Sequence, residues 1–239
     1  MPDKKSTFKK IWYFIWEDDS ILSWIVNVVL AFVLIKFIVY PGLGFLLGGT
    51  SHPVVAVVSG SMEHAYAPKV DYFGNPVTVD DSKLIYAFCS ESFTKKRALI
   101  NFKDFKGFDS FWEICGDWYE NSGISKQDFS NYDFKNGFNT GDIIFLRGKS
   151  PEDIEVGEVI VFMGNRPDPI IHRVVKKENK NDKIYFQTKG DHNPTKDPYK
   201  TSQEKVIGKA FFRVPWLGYI KIWFVEFLRM LGIYKYIPI

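Results

Sequence analysis

From Ile21 to Tyr40 the chain reads ILSWIVNVVLAFVLIKFIVY. About 20 apolar residues at about 1.5 Å each reach about 30 Å, the thickness of one hydrocarbon core. This predicts a membrane-spanning helix, with Pro41 and Gly42 ending it. Lys36 lies near one end, where its stem can snorkel, and Asn27 can pair along or between helices. A cleavable leader would be shorter and would end in a small-x-small site, which the stretch lacks. Lys4, Lys5, Lys9 and Lys10 precede the span, and after Lys36 no Lys or Arg appears until Lys69. The positive charge therefore puts residues 1–20 on the cytoplasmic side and the main domain outside. Trp12, Trp16 and Trp24 fall at the cytoplasmic interface, and segment 8–16 (FKKIWYFIW) reads as a short amphipathic helix lying flat on it.

The opposite end is also apolar and aromatic. In 213–239, Trp216, Ile220, Trp223, Phe224, Phe227 and Leu228 recur at nearly helical spacing, interrupted by Lys221, Glu226 and Arg229. An interfacial helix is preferred to a second span or a soluble packing helix. The aromatic share, 17% with 22 Phe and 7 Trp, suits a packed core and, more pointedly, membrane-interface contact. A net charge of +3 over 239 residues, without a basic stripe interleaved with aromatics, argues against a nucleic-acid partner.

Between the two ends the sequence reads as a β domain with an insertion. Segment 53–60 (PVVAVVSG) is a β-branched run ending in a turn signal. After Thr140 come DIIFL (142–146), EVIVFM (158–163), IIHRVVK (170–176), KIYFQ (183–187) and VIGKAFF (206–212). Turns at Gly141, Gly157, 165–169, 179–182 and 190–198 separate them. Short strands at this spacing predict a mainly β fold, an antiparallel barrel or sandwich built from 53–64 and 140–212. The stretch 65–139 is irregular, with weak strands and one helix near 110–119 that clusters Phe111, Trp112, Cys115, Trp118 and Tyr119. Its Cys89 and Cys115 form no metal motif, and neither a metal nor a cofactor is expected. The two cysteines are either small buried apolar groups or a disulfide. A bridge would close a loop of about 26 residues and stabilise by about 3 kcal/mol.

Three clusters follow strands, where a rigid scaffold holds reactive groups. Ser59-Gly60-Ser61-Met62-Glu63 places a serine after a glycine on a turn, open to an approaching backbone. Ser-Gly-Ser is also ordinary loop composition. His172, in an alternating apolar strand, is either a core residue or a base titrating near neutrality, with Arg173 on the other face toward solvent or a carboxylate. Lys189 to Asp197 (KGDHNPTKD) holds two acids, Asp191 and Asp197, in a loop that is either a polar turn or the source of a carboxylate orienting the imidazole. Together they form a Ser…His…Asp order on a β scaffold behind an anchor.

That conjunction resembles the catalytic subunit of signal peptidase I, of the archaeal and endoplasmic-reticulum type. The matching text is VVSGSME (57–63), GDIIFLRG (141–148), VGEVIVF (156–162), PIIHRVV (169–175), TKGDHN (188–193) with Asp197, and VIGKAFFRVPWLG (206–218). The resemblance implies a Ser-His-Asp endopeptidase that removes signal peptides at the plasma membrane of an archaeon or the endoplasmic-reticulum membrane. Ser61 is then the nucleophile, His172 the base, Asp197 the third member and Asp191 a second functional acid. The Ser61 backbone, with Ser59, Gly60 and Met62 around it, forms the oxyanion and substrate site. Implied partners are preprotein signal peptides, membrane lipid, and the translocon or accessory subunits. The chain departs from the family pattern in three places. His64 stands where proline is usual, GDHN replaces GDNN, and 65–139 replaces a short link. His64 and His192 thereby become rival bases. Two other readings compete. A Ser–Lys peptidase would need a lysine at the position of His172, and Lys176 and Lys177 lie too far along the strand. A membrane-tethered pseudoprotease would use the insertion to hold a partner.

Overall fold

The computed structural model describes residues 4–68, 77–79, 83–89, 91–94, 107–165 and 168–230. The tail 231–239 and stretches 69–76, 80–82, 90 and 95–106 of the insertion lie outside the described residues, as does part of the 165–169 turn.

Helix α1 (Lys4–Trp16) contains the expected amphipathic segment. Helix α2 (Ile21–Leu46) is long and apolar enough to cross a membrane. Its apolar side chains face outward, Phe32 and Ile38 being 63% and 67% exposed, unlike those of a core helix. Asn27 bonds between helices, its Nδ2 donating to Ile15 O at 2.8 Å, and Ser23 Oγ donates to Phe14 O. The helix does not stop at Pro41. A π turn over Ile35–Val39 widens the ladder, with the Tyr40 N–H reaching back to Ile35 O. That widening accommodates a proline that has no N–H and whose ring crowds the preceding turn. The helix instead ends at two glycines with left-handed φ, Gly48 (85°) and Gly49 (84°). Gly49 N–H donates to Gly44 O and Gly48 N–H to Phe45 O, a Schellman termination that proline cannot supply.

The helix end is tied to the β domain. Gly148 N–H donates to Leu47 O at 2.7 Å, and Tyr40 Oη to Val54 O at 3.2 Å. The domain's main sheet has seven antiparallel strands in the order β1-β6-β11-β7-β8-β9-β10. These are β1 (Val54–Ala56), β6 (Ile143–Arg147), β7 (Val159–Met163), β8 (Pro169–Lys180), β9 (Lys183–Lys189), β10 (Thr201–Ser202) and β11 (Val206–Val214). Each predicted β run after residue 140 appears within a few residues, and β10 is additional. The β8–β9 hairpin turns at Asn181 and Asp182, both with positive φ (53° and 58°), as a two-residue type I′ turn requires. Ile144, Leu146, Val159, Val161 and Ala210 form a core on one side with Val57, Met62 and Phe138. Ile160, Phe162, Val174, Ile184 and Phe186 form a core on the other side.

The insertion has a small sheet, β2 (Ala67–Pro68), β3 (Thr78–Val79), β4 (Lys83–Phe88) and β5 (Glu91–Thr94), with β4 bonded to the other three. Helix α3 (Gly107–Asn121) contains the predicted helix and buries Phe111, Trp112, Cys115 and Tyr119, while Trp118 packs half-buried. Helix α4 (Lys126–Ser130) was not expected. It is one turn long, too short for periodicity to reveal, and is fixed by a capping box between Ser125 and Asp128. Cys89 and Cys115 are disulfide-bonded, with Cα atoms 5.7 Å apart, which resolves the two alternatives left by the sequence. Strand β11 takes Arg213 and Val214, so the C-terminal helix α5 begins at Tyr219, not 213, and is described to Met230.

The helix–sheet junction depends on glycine at 148, where a Cβ would lie 2.0 Å from Gly48 O. Gly148→Ala is expected to lose about 1–3 kcal/mol, the usual penalty of overpacking. Thermal unfolding in detergent would show this as a Tm lower by several degrees, with secondary structure retained.

Candidate active site

Residues next to each other on a strand face opposite ways, and on β8 this sends His172 and Arg173 to different partners. His172 Nδ1 lies 2.7 Å from Asp197 Oδ2. Because the carboxylate only accepts, Nδ1 carries the proton and the lone pair is left on Nε2. Asp197 is held from β9. Thr188 Oγ1 donates to the same Oδ2 at 2.6 Å, Gln187 Nε2 donates to Asp197 O at 2.7 Å, and Asp197 N–H donates to Thr188 O at 2.8 Å. Thr188 and Gln187, which hold Asp197 in place, were missed by the sequence reading. Their signal was the polar Gln187-Thr188 pair at the end of β9, next in sequence to the loop that carries the acid.

Nε2 of His172 faces the Ser61 turn across Gly190. A Cβ on Gly190 would sit 2.8 Å from His172 Nε2 and 2.7 Å from Ser61 O, so only glycine lets the two approach here. Ser61 is half-buried on the turn that follows β1, and Glu63 N–H donates to Gly60 O at 3.0 Å. The turn is anchored on both sides. Val57 pairs with Gly141 and Asp142, while His192 N–H donates to Ser61 O at 2.9 Å. Ser61 Oγ lies 3.4 Å from Ser59 Oγ, and among the described residues the Ser61 N–H takes no hydrogen-bond partner. The Met62 side chain is fully buried beneath the turn, its Sδ accepting from Asp191 N–H at 3.4 Å. A groove of about 510 Å³ opens on the Asp197 side of the imidazole, with Phe162, Ile170 and Tyr199 among its walls.

Asp191 does not touch His172. It sits fully buried with Arg173, the residue the sequence placed toward solvent or a carboxylate. Arg173 Nε donates to Asp191 Oδ1 at 2.9 Å and Nη2 to Oδ2 at 2.7 Å. Its other N–H groups donate to Asp133 O, Gly157 O and Phe134 O at 2.8–3.0 Å, so all five donors are satisfied. The guanidinium carbon lies 4.6 Å from the centre of the Phe129 ring. Asp191 also accepts from Tyr119 Oη at 2.9 Å and His64 Nε2 at 3.0 Å. Burial would raise the Asp191 carboxyl, but the Arg173 charge and the bonds from His64 and Arg173 outweigh it and hold it far below the usual carboxylate range.

The rival bases are occupied elsewhere. The His64 ring stacks on Phe111 at 3.7 Å, and burial lowers its pKa; its Nε2–H serves Asp191, while Nδ1 has no partner among the described residues. His192 Nδ1 donates to Glu63 O at 3.1 Å. Cross-strand from Arg173 lies Lys189, also buried, with Nζ donating to Gly190 O and Asp191 O. Burial pushes Lys189 down to about 8, with the Asp191 carboxylate opposing and Arg173 adding.

Two stability predictions follow from this cluster. Asp191→Asn leaves a buried guanidinium without its countercharge, and unfolding in detergent should show a loss of about 3–5 kcal/mol. Lys189 binds its proton more weakly folded than unfolded, so its burial penalty is full below pH 8 and is relieved as pH rises toward 10.5. Wild type should therefore gain stability relative to Lys189→Met between pH 8 and 10.5, by at most about 3 kcal/mol. Urea unfolding of both proteins at pH 7.5 and 10 measures the difference, and a pH-independent gap would contradict it.

No family model matches the chain. It is 38% identical over 94 residues to the human signal peptidase complex catalytic subunit SEC11C, a match covering 36% of this chain and 49% of that protein. The mouse protein of the same name matches equally. The signal peptidase complex catalytic subunit SEC11 of Saccharomyces cerevisiae (strain YJM789) is 34% identical over 99 residues, covering 37% of this chain and 59% of the relative. The chain thus spans about half the length of the mammalian relatives it matches. Over about a third of its own length it is similar to catalytic subunits of the endoplasmic-reticulum type of signal peptidase I.

Proposed function

We propose that this chain is a membrane-anchored serine endopeptidase that removes N-terminal signal peptides from exported preproteins, with Ser61, His172 and Asp197 as its catalytic residues. The observation that carries the reading is the 2.7 Å contact of His172 Nδ1 with Asp197, which leaves Nε2 facing the Ser61 turn across Gly190. The similarity to signal peptidase catalytic subunits supports the substrate class.

In this mechanism His172 Nε2 takes the Ser61 Oγ proton as Oγ attacks the scissile carbonyl, and Asp197 stabilises the imidazolium. The free Ser61 N–H and the Ser59 hydroxyl receive the oxyanion. The imidazolium proton passes to the leaving amine, an acyl-enzyme ester remains on Ser61, and water activated by the same His172 releases it. Strand β1 is the outer edge of the sheet, bonded to β6 on one side, so an extended substrate adds beside it through main-chain bonds. Small side chains at the first and third positions before the cut are accepted because larger ones clash. Helix α2 serves as the anchor and raises the local concentration of a membrane-held precursor. The domain faces the lumenal or extracytoplasmic side, and α5 with exposed Trp223, together with exposed Trp216 in the turn before it, lies at the bilayer surface. Asp191 acts through the Arg173 cluster, as a structural support of the loop that carries Asp197.

Incubation of the detergent-solubilised protein with a signal-peptide-bearing precursor tests this directly. Wild type should give a mature-size product cut after a small residue, and Ser61→Ala none. A processing Ser61→Ala protein would remove the assignment. Asp197→Asn should lower kcat by about 10³–10⁴-fold, as loss of the acid does in other triads, while leaving Tm nearly unchanged.

A further inference from the structure

Cys89 stands just after β4 in the insertion, in a left-handed conformation (φ 51°) that a residue with a Cβ adopts rarely. Three contacts hold it there. The disulfide ties it to Cys115 on α3. Its N–H donates to His192 O at 3.0 Å, and its Sγ, which carries no proton, rests 3.4 Å from Asp191 O. His192 N–H in turn donates to Ser61 O at 2.9 Å, and that carbonyl is the one packed against Gly190 opposite His172 Nε2. The His192 ring adds a second tie to the same turn through Glu63 O, and packs 5.0 Å from the Phe88 ring. A continuous line therefore runs from the α3 disulfide through the Cys89 and His192 backbones to the nucleophile turn.

Unusual backbone conformations persist only where the surroundings over-determine them, and they concentrate at working sites. We infer that the insertion, through the left-handed backbone that the Cys89–Cys115 disulfide holds at Cys89, is a positioning element that sets the orientation of the Ser61 turn toward His172. Cys89 is a positioning residue that touches neither substrate nor the reacting atoms. This rests on the protease reading for its kinetic consequence, but its structural content does not. Without the disulfide, Cys89 relaxes to negative φ, its N–H leaves His192 O, and the Ser61 carbonyl loses its register across Gly190. Displacement of a nucleophile by a fraction of an ångström to 1 Å lowers turnover by one to two orders of magnitude.

The test compares wild type with Cys89→Ala/Cys115→Ala and Cys89→Gly/Cys115→Ala in the full chain, in detergent. Alanine at 89 keeps the N–H but disfavours the left-handed conformation, whereas glycine keeps the N–H and adopts it freely. The alanine pair should lose about 10- to 100-fold in kcat with KM within about twofold, and the glycine pair should recover to within a few-fold of wild type. Amide hydrogen exchange gives a readout independent of activity. Cys89-position and His192 amides should exchange at least about tenfold faster in the alanine pair, while β7, β8 and β11 amides keep their wild-type protection. If no protein cleaves precursor, the protease reading fails and the exchange pattern alone decides. Unchanged exchange at His192 in the alanine pair would overturn the inference. So would loss of protection spread evenly over the sheet, which would make the disulfide a general brace, or a glycine pair as impaired as the alanine pair.

Discussion

A buried guanidinium must find an acceptor for every donor, and the ion pair of Arg173 with Asp191 is where this chain meets that demand. Both side chains are fully withdrawn from water. Removing two charges from water is expensive, and only matched geometry with all lone pairs and protons engaged makes it tolerable. Here the acceptors come from three separate parts of the chain. They are the Asp191 loop, the Gly157 turn before β7, and the 133–134 segment at the end of the insertion. Tyr119 and His64 complete the shell of the carboxylate, one from α3 and the other from the turn after Ser61. The insertion therefore packs onto the loop that carries Asp191 and Asp197 through this buried polar cluster.

This explains how neighbouring residues on one strand serve two purposes. The pleat of β8 gives His172 to Asp197 and the Ser61 turn, and gives Arg173 to the buried cluster. The two acids of one short loop divide in the same way. Asp197 is one-fifth exposed at most and bonded to an imidazole and a hydroxyl, whereas Asp191 is locked against a guanidinium. Gly190, next to Asp191 in the chain, is where the two systems meet, because its missing Cβ leaves room for the Ser61 carbonyl against the imidazole.

Much of this was legible in the residues themselves. The apolar span, the β runs after Gly141 and the aromatic face of α3 each carry a local pattern of apolar residues that the sequence displays directly. The contact of His172 with Asp197 joins two of the clusters that the sequence singled out together with Ser61. The division of labour between Asp191 and Asp197 was not legible, since it depends on which side of one loop each carboxylate faces, and loop composition says nothing about that. His64 read as a rival base because its partner Asp191 lies 127 residues away. The passage of α2 through Pro41 was hidden because a single widened turn offsets the proline, leaving Gly48 and Gly49 as the effective stop. The disulfide needed the fold of the insertion to bring β4 and α3 together.

The central claim is that Ser61, His172 and Asp197 work as one unit, and a double-mutant cycle on precursor cleavage tests it most directly. Residues acting as a unit are non-additive, because once one is gone the others have nothing left to do. The account predicts that His172→Ala alone abolishes nearly all cleavage, and that His172→Ala/Asp197→Asn is no slower than His172→Ala. Losses that multiply in the double variant, or a His172→Ala protein that cleaves at the wild-type rate, would contradict it.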